Sequence, residues 1–111
     1  MTGISDDEAR FWRLAEPLLD TAGVTRSTMM GLPCLRVGGA FFASWDRSNG
    51  ALLVKLPEAE VDQLVAAGTA RPFSPAGRRF RQWASIPPDP GDAWVALLDR
   101  ALRYVSKGDG S

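Results

Sequence analysis

Two glycine-containing turns divide residues 24–56 into short runs whose composition suits β-strands. Gly38-Gly39 can supply the positive φ angles of a tight hairpin turn, and Asn49-Gly50 is a strong short-range signal for a second hairpin. Because a hairpin joins two antiparallel neighbours, the runs on either side of each turn are expected to pair. Gly31 also breaks the run that begins at Val24, so the pattern predicts an antiparallel meander with strands at 24–30, 34–37, 40–46 and 51–56.

Helical patterns flank this meander. Residues 5–21 open with a Ser-x-x-Glu capping box and repeat apolar residues at helical spacing, although Pro17 is expected to kink or shorten this helix. Pro57 suits the first turn of a second helix, and Gly68 is a suitable end for it. Residues 92–106 carry a continuous i, i+3, i+4, i+7 apolar stripe, which predicts a third helix.

The segment between the second and third helices combines a loop with one more strand. Residues 69–77 are interpreted as a loop because Pro72, Pro75 and Gly77 interrupt them. Residues 78–86 are predicted to form a strand. The order α-β-β-β-β-α-β-α predicts an α+β two-layer sandwich, with an antiparallel sheet of about five strands and helices packed on one face.

The length of the chain limits its organisation to one unit. A chain of 111 residues is too short for two independent cores, so residues 1–111 are interpreted as a single domain with loose ends at about 1–4 and 107–111. Thirteen basic side chains balance thirteen acidic ones, so no net charge favours nucleic acid or anionic lipid. An electrostatic partner would have to be recognised by a local patch.

Histidine is absent and cysteine occurs once, as Cys34. The chain therefore lacks the usual general acid or base near neutral pH, and it cannot build a Ser-His-Asp or Cys-His arrangement. Structural zinc sites need four Cys or His ligands, and this chain offers one. We expect a protein that is not an enzyme and that has no catalytic, cofactor-binding or metal-binding residues.

The amino-terminal residues MTGISDDEAR are acidic and polar, unlike a signal peptide. No apolar run approaches the roughly 18 residues of a membrane span, and the single cysteine cannot form an intramolecular disulfide. These features together predict a cytoplasmic protein without a membrane partner.

Several apolar and turn motifs carry a family resemblance: MMGLPCLRVGGAFFA at 29–43, ALLVKLP at 51–57, PFSP at 72–75 continuing through Trp83 to Pro87, and ALRYV at 101–105. In these motifs the chain resembles the superfamily that includes the MmcQ/YjbR proteins and the TfoX amino-terminal domain, over about residues 24–105. The resemblance implies a two-layer sandwich with an antiparallel sheet. MmcQ/YjbR proteins are often described as DNA-binding, and TfoX is linked to competence regulation. Either role would be carried over to this chain by analogy of fold alone.

An arginine-rich segment is the main candidate for a binding surface. Residues 69–88 contain four arginines and no acidic residue, and a strand over 78–86 would place Arg79, Arg81 and Trp83 on one face. Planar guanidinium groups beside an indole ring can contact phosphates and stack on bases. The candidate surface for nucleic acid or another anionic ligand comprises Arg36, Lys55, Arg78, Arg79, Arg81 and Trp83.

Three alternatives to nucleic-acid binding stay open at this point. The arginines could form a solvated strand face that pairs with acidic residues of nearby helices. The protein could instead bind a small molecule, or act as a cryptic enzyme, at a pocket near Cys34, where Arg36 would favour the thiolate. It could also be a regulatory homo-oligomer. Nucleic acid, if it binds, is expected to bind weakly and with strong salt dependence, because few phosphates would be neutralised.

Overall fold

A computed structural model describes residues 6–29, 32–47, 49–74, 77–78, 80–88 and 93–107. No helix among these residues has the length and hydropathy needed to cross a membrane. The elements in chain order are α1 (Asp6–Ala15), a 3-10 helix (Glu16–Asp20), β1 (Val24–Met29), β2 (Leu32–Val37), β3 (Ala40–Asp46), β4 (Ala51–Lys55), α2 (Glu58–Ala66), β5 (Arg71–Phe73), β6 (Phe80–Ile86) and α3 (Ala93–Ser106).

The strands form one open antiparallel sheet in the order β1-β2-β3-β4-β6-β5, with the helices packed on one face. This confirms the predicted α+β class. The sheet has six strands rather than about five, because β5 lies in the segment predicted as a loop. Proline lacks an N–H for the ladder and is confined to sheet edges, so a three-residue edge strand containing Pro72 leaves almost no sequence signal.

Both predicted hairpins are present. Gly38 and Gly39 have φ angles of +58° and +87°, and they connect β2 to β3 next to the pair Val37↔Ala40. Gly50 has a φ of +60° in the connection from β3 to β4. These left-handed conformations are costly for residues with a Cβ, so glycine is what allows the chain to reverse direction at both turns.

Pro17 shortens the first helix as predicted. The α-helix ends at Ala15, and the chain continues as a 3-10 helix over Glu16–Asp20. Proline removes one N–H from the helical ladder and clashes with the preceding turn, which explains the change of helix type. Ser5, the first residue of the predicted capping box, and residue 92, the predicted start of the third helix, lie outside the described residues.

The three α-helices cover one face of the sheet, here called the helix face, and the core lies between the two layers. Trp45 of β3 and Trp94 of α3 meet edge to face, with ring centres 5.6 Å apart. The Trp94 Nε1–H donates a hydrogen bond to the Pro87 carbonyl at 3.2 Å, so the buried indole is satisfied. The largest fully buried core side chains are Trp45, Trp94, Phe11, Phe42, Leu35, Leu52, Leu56, Ile86, Leu98, Val54 and Val61.

A bulge between β2 and β3 changes which side chains enter this core. Strict alternation along β3 would place Phe42 with Ser44 on the face away from the helices. The register of the pair shifts next to Arg36, and Phe42 instead belongs to the core cluster together with Ala43. Phe41 pairs with Arg36, whose guanidinium lies 4.9 Å from the centre of the Phe41 ring.

The opposite face of the sheet, here called the open face, is not uniformly exposed. Cys34, Ser44, Leu53 and Ser85 form a row across β2, β3, β4 and β6, and all four are buried. The Ser44 hydroxyl donates to the Pro33 carbonyl at 2.8 Å. Beside this row, Lys55 at the end of β4 and its partner Trp83 in β6 are partly exposed.

Candidate anionic-ligand site

Two strands far apart in sequence bring Lys55 and Trp83 together. The last residue of β4, Lys55, is the direct antiparallel partner of Trp83 in β6. Residues 83 and 85 share one face because side chains alternate along a strand. Trp83 is partly exposed and does not belong to the core cluster, so its indole lies on the open face rather than under a helix.

These side chains border an open cavity of about 390 Å³, here called the Arg/Trp groove. Among the residues that the structure describes, no acid lines this groove, although the chain as a whole has equal numbers of acids and bases. The local balance is therefore positive, as the recognition of an anion requires. The lining residues are Lys55, Arg78, Phe80, Arg81, Gln82 and Trp83.

Aromatic rings are accessible in the groove. Phe80 is 37% exposed, which is unusual for so large an apolar side chain. The Arg78 guanidinium lies 5.6 Å from the centre of the Phe80 ring, and the Phe73 ring lies 5.8 Å away on another side. A base or another planar ring could stack against such a surface while a cation contacts its phosphate.

The irregular pairing of β5 with β6 explains why this part of β6 is accessible. Pro72 pairs with Ala84, but the next residue, Phe73, pairs with Phe80. Residues 81–83 therefore have no direct partner on β5. Arg81 and Gln82 are exposed as a result.

One of the arginines has an acidic neighbour, as the solvated-face alternative predicts. Arg81 Nη1 lies 3.8 Å from Glu58 Oε1, and their side chains are 68% and 44% exposed. An ion pair this long and this exposed contributes little and is easily exchanged for another anion. Lys55 and Arg78 form no ion pair within the described part of the chain.

The predicted surface is brought together only in part. Lys55, Arg78, Arg81 and Trp83 line the same groove, whereas Arg79 lies outside the described residues. Arg36 is on β2, with β3 between it and the strand that carries Lys55. Its guanidinium stacks on Phe41, and its Nε is buried without a hydrogen-bond partner among the described residues. Arg36 therefore does not extend the groove.

Strand alternation missed two groove residues, Phe80 and Gln82. A regular strand over 78–86 would place Phe80 and Gln82 on the face opposite Trp83. Phe80 is instead the first residue of β6 and pairs across the register shift, so the alternation does not hold there. The available signal was compositional, because Phe80 stands between arginines in an acid-free segment.

Cys34 has the surroundings of a structural thiol. It is fully buried in the middle of β2, and burial raises its pKa, an effect that Arg36 and a hydrogen bond with Ser27 only partly oppose. A thiol with a raised pKa holds little of the nucleophilic thiolate at neutral pH. Among the residues that the structure describes, no group of three or more Cys, His, Asp or Glu is placed to hold a metal ion.

Comparison with protein-family models, with curated proteins and with solved structures finds no match to this chain. The resemblance to MmcQ/YjbR proteins and the TfoX amino-terminal domain therefore stays a prediction.

Proposed function

We propose that this protein is a non-enzymatic binding module that holds single-stranded nucleic acid in the Arg/Trp groove. One observation carries the proposal: three cationic side chains and two accessible aromatic rings line one groove, and its described lining contains no acid. Cations contact phosphates of any sequence, and exposed rings stack on unpaired bases. Paired bases are stacked inside a duplex, so the rings favour a single strand.

The number of cations sets the expected strength of binding. Lys55, Arg78 and Arg81 can neutralise about three phosphates, and each contributes about 0.7 to the logarithmic salt slope for a single strand. Three contacts give a slope of about −2, so affinity should fall about 15-fold to 20-fold between 50 and 200 mM salt. Binding is therefore weak and dependent on ionic strength.

We further propose that the chain belongs to the MmcQ/YjbR and TfoX amino-terminal-domain superfamily and acts in the cytoplasm. The antiparallel sheet with helices on one face supports the family, because the resemblance implies that architecture. The single buried cysteine suits a reducing compartment, where no disulfide is needed for stability.

The test is fluorescence anisotropy with a fluorescein-labelled deoxythymidine decamer, titrated with protein at 20, 50 and 200 mM salt. We expect saturable binding at low salt that weakens along the stated slope. A duplex of the same length should compete poorly.

The matched variants separate the groove from general charge. Lys55→Ala plus Arg81→Ala should weaken binding at least tenfold, because two of the three groove cations are removed. Arg13→Ala plus Arg103→Ala removes the same charge from exposed helix positions and should change affinity less than twofold. Absence of binding at 20 mM salt, or equal losses in the two double variants, would contradict the proposal.

A further inference from the structure

The two edges of the sheet differ in how well they are protected. β5 forms one edge with only three residues, and one of them is a proline. β1 forms the other edge with six residues, Val24–Met29, and no proline. Short strands and prolines are devices that prevent an edge from pairing with another chain. β1 uses neither of them.

The register of β1 against β2 shows which backbone groups point outward. Hydrogen-bonded and non-hydrogen-bonded pairs alternate along an antiparallel ladder. Thr28 pairs with Pro33, which has no N–H, so this is a non-hydrogen-bonded pair, and so is Arg26↔Leu35 two residues away. The N–H and C=O groups of Arg26 and Thr28 therefore point away from β2.

These outward groups are available for pairing. The outward N–H of Val24 donates to the Thr21 carbonyl at 3.1 Å, so the start of the strand is occupied. No backbone partner exists for the outward groups of Arg26 and Thr28 within the described part of the chain. Both residues are exposed. Each of the two residues presents one backbone N–H donor and one C=O acceptor, and the two residues have the spacing of alternate residues in a strand.

The side chains beside this edge are cationic. An open cavity of about 450 Å³ lies along it, and its lining, so far as the structure describes it, includes no acid. The Arg26 guanidinium lies 4.3 Å from the centre of the Trp12 ring and forms no ion pair within the residues described. Arg47 is 53% exposed, although it also binds Glu8. The cavity is lined by Trp12, Arg26, Ser27, Thr28, Pro33 and Arg47.

We propose that β1 binds an extended segment of a partner protein as a seventh strand, with an acidic side chain of that segment facing Arg26. Backbone hydrogen bonds to Arg26 and Thr28 would provide the register, and Arg26 would select an acid at the neighbouring position of the added strand. This inference does not depend on the Arg/Trp groove, which lies at the β4–β6 end of the sheet.

A second copy of the chain fits this edge less well. Two β1 strands that pair antiparallel around Arg26 would place the two Arg26 side chains directly opposite each other. Pairing around Ser27 would place them diagonally, on the same face. Like charges in these positions destabilise a strand pair, whereas a carboxylate opposite Arg26 stabilises it. The charges therefore favour an acidic partner segment.

The test uses a synthetic nine-residue peptide that alternates glutamate with valine or threonine and carries fluorescein. A matched peptide has lysine in place of each glutamate. At low salt we expect the acidic peptide to bind at least tenfold more tightly than the basic one. Arg26→Glu should reverse this preference, because it inverts the charge beside the edge.

A pair of variants at Thr28 tests the backbone contact. Thr28→Pro removes the outward N–H but no hydrogen bond to β2. It should lower the affinity for the acidic peptide at least tenfold. Thr28→Ala keeps the N–H and should change affinity less than twofold. Thermal unfolding checks that both variants fold. If Thr28→Pro does not fold, slowed amide exchange at Arg26 and Thr28 on peptide binding serves as the readout.

Four results would overturn the proposal. The first is equal binding of the acidic and basic peptides, and the second is equal affinity of folded Thr28→Pro and Thr28→Ala. The third is a dimer in analytical ultracentrifugation that Thr28→Pro dissociates while neither peptide binds, because the occupant would then be a second copy. Unchanged amide exchange in the presence of saturating acidic peptide would equally contradict strand addition.

Discussion

Tryptophan has different roles on the two faces of the sheet. On the helix face, Trp45 and Trp94 are 1% and 0% exposed and pack edge to face in the core. On the open face, Trp83 keeps part of its indole accessible beside Lys55 and the arginines of the groove. The residue type is identical, so its role is decided by how completely the surrounding residues cover it.

The comparison also limits where ligand binding can occur on the open face. A row of small or apolar side chains across its middle is as buried as the helix-side core, and the Cys34 thiol within it has a raised pKa because of that burial. Accessible cations and rings are concentrated where β4 ends and β6 pairs irregularly with β5. Irregular pairing at one corner of the sheet therefore creates the groove.

The largest difference between the faces should appear in stability. Trp45→Ala removes a fully buried indole and should lower the free energy of unfolding by about 3–5 kcal/mol. Trp83→Ala removes a partly exposed one and should cost less than about 1 kcal/mol, because little packing is lost. Urea unfolding followed by circular dichroism measures both. Similar losses for the two variants would show that Trp83 is part of a core.

The converse difference should appear in binding. Trp83→Ala should weaken binding of the thymidine decamer by about 1–3 kcal/mol, the range for loss of one aromatic stacking partner. Tyr104→Ala, a partly buried aromatic on α3, is the matched control and should leave the affinity unchanged. Anisotropy titration at 20 mM salt gives both values. If Trp83→Ala binds the decamer with unaltered affinity, Trp83 does not stack on a base.

A smaller effect, on how stability depends on pH, should come from the helix face alone. The buried Glu8 carboxylate of α1 accepts two hydrogen bonds from Arg47, each 2.9 Å, and these hold the pKa of Glu8 below its ordinary value. A lowered pKa in the folded state stabilises the protein above the unfolded-state pKa of about 4.3, and this stability is lost as the pH falls toward the folded-state value.

Glu8→Gln should therefore destabilise the protein by about 1–2 kcal/mol at pH 7 and by less at pH 3. Decamer binding at pH 7 should not change, because Glu8 lies outside the groove. Urea midpoints at the two pH values provide the measurement. A loss of equal size at both pH values would show that the Glu8–Arg47 pair is not the cause.

The parts of the fold that could be predicted are those with local signals. The turn glycines, the shortening of α1 at Pro17 and the apolar stripe of α3 each act within a few residues, and the structure has all of them. The strand β5 was missed because three residues with a proline carry too little pattern. The entry of Phe42 into the core depends on a bulge, which alternation within one strand cannot reveal.

The groove was only partly predictable for a similar reason. Its positive charge is a property of one segment and can be counted from the sequence. The pairing of Lys55 with Trp83 depends on the register between two strands separated by α2 and β5. The separation of Arg36 from the groove depends on the order of strands in the sheet. The accessibility of Phe80 depends on how β6 pairs with β5. These are long-range features.

The most direct test of the open-face groove is to follow the tryptophan indole N–H signals by ¹H–¹⁵N NMR during titration with the thymidine decamer at 20 mM salt. Trp83→Phe identifies the signal of residue 83. We expect progressive shifts of the Trp83 indole and of the Lys55 and Arg81 amides, with the Trp45 and Trp94 indoles unchanged. Shifts confined to other residues, or no shifts at saturating decamer, would contradict this expectation.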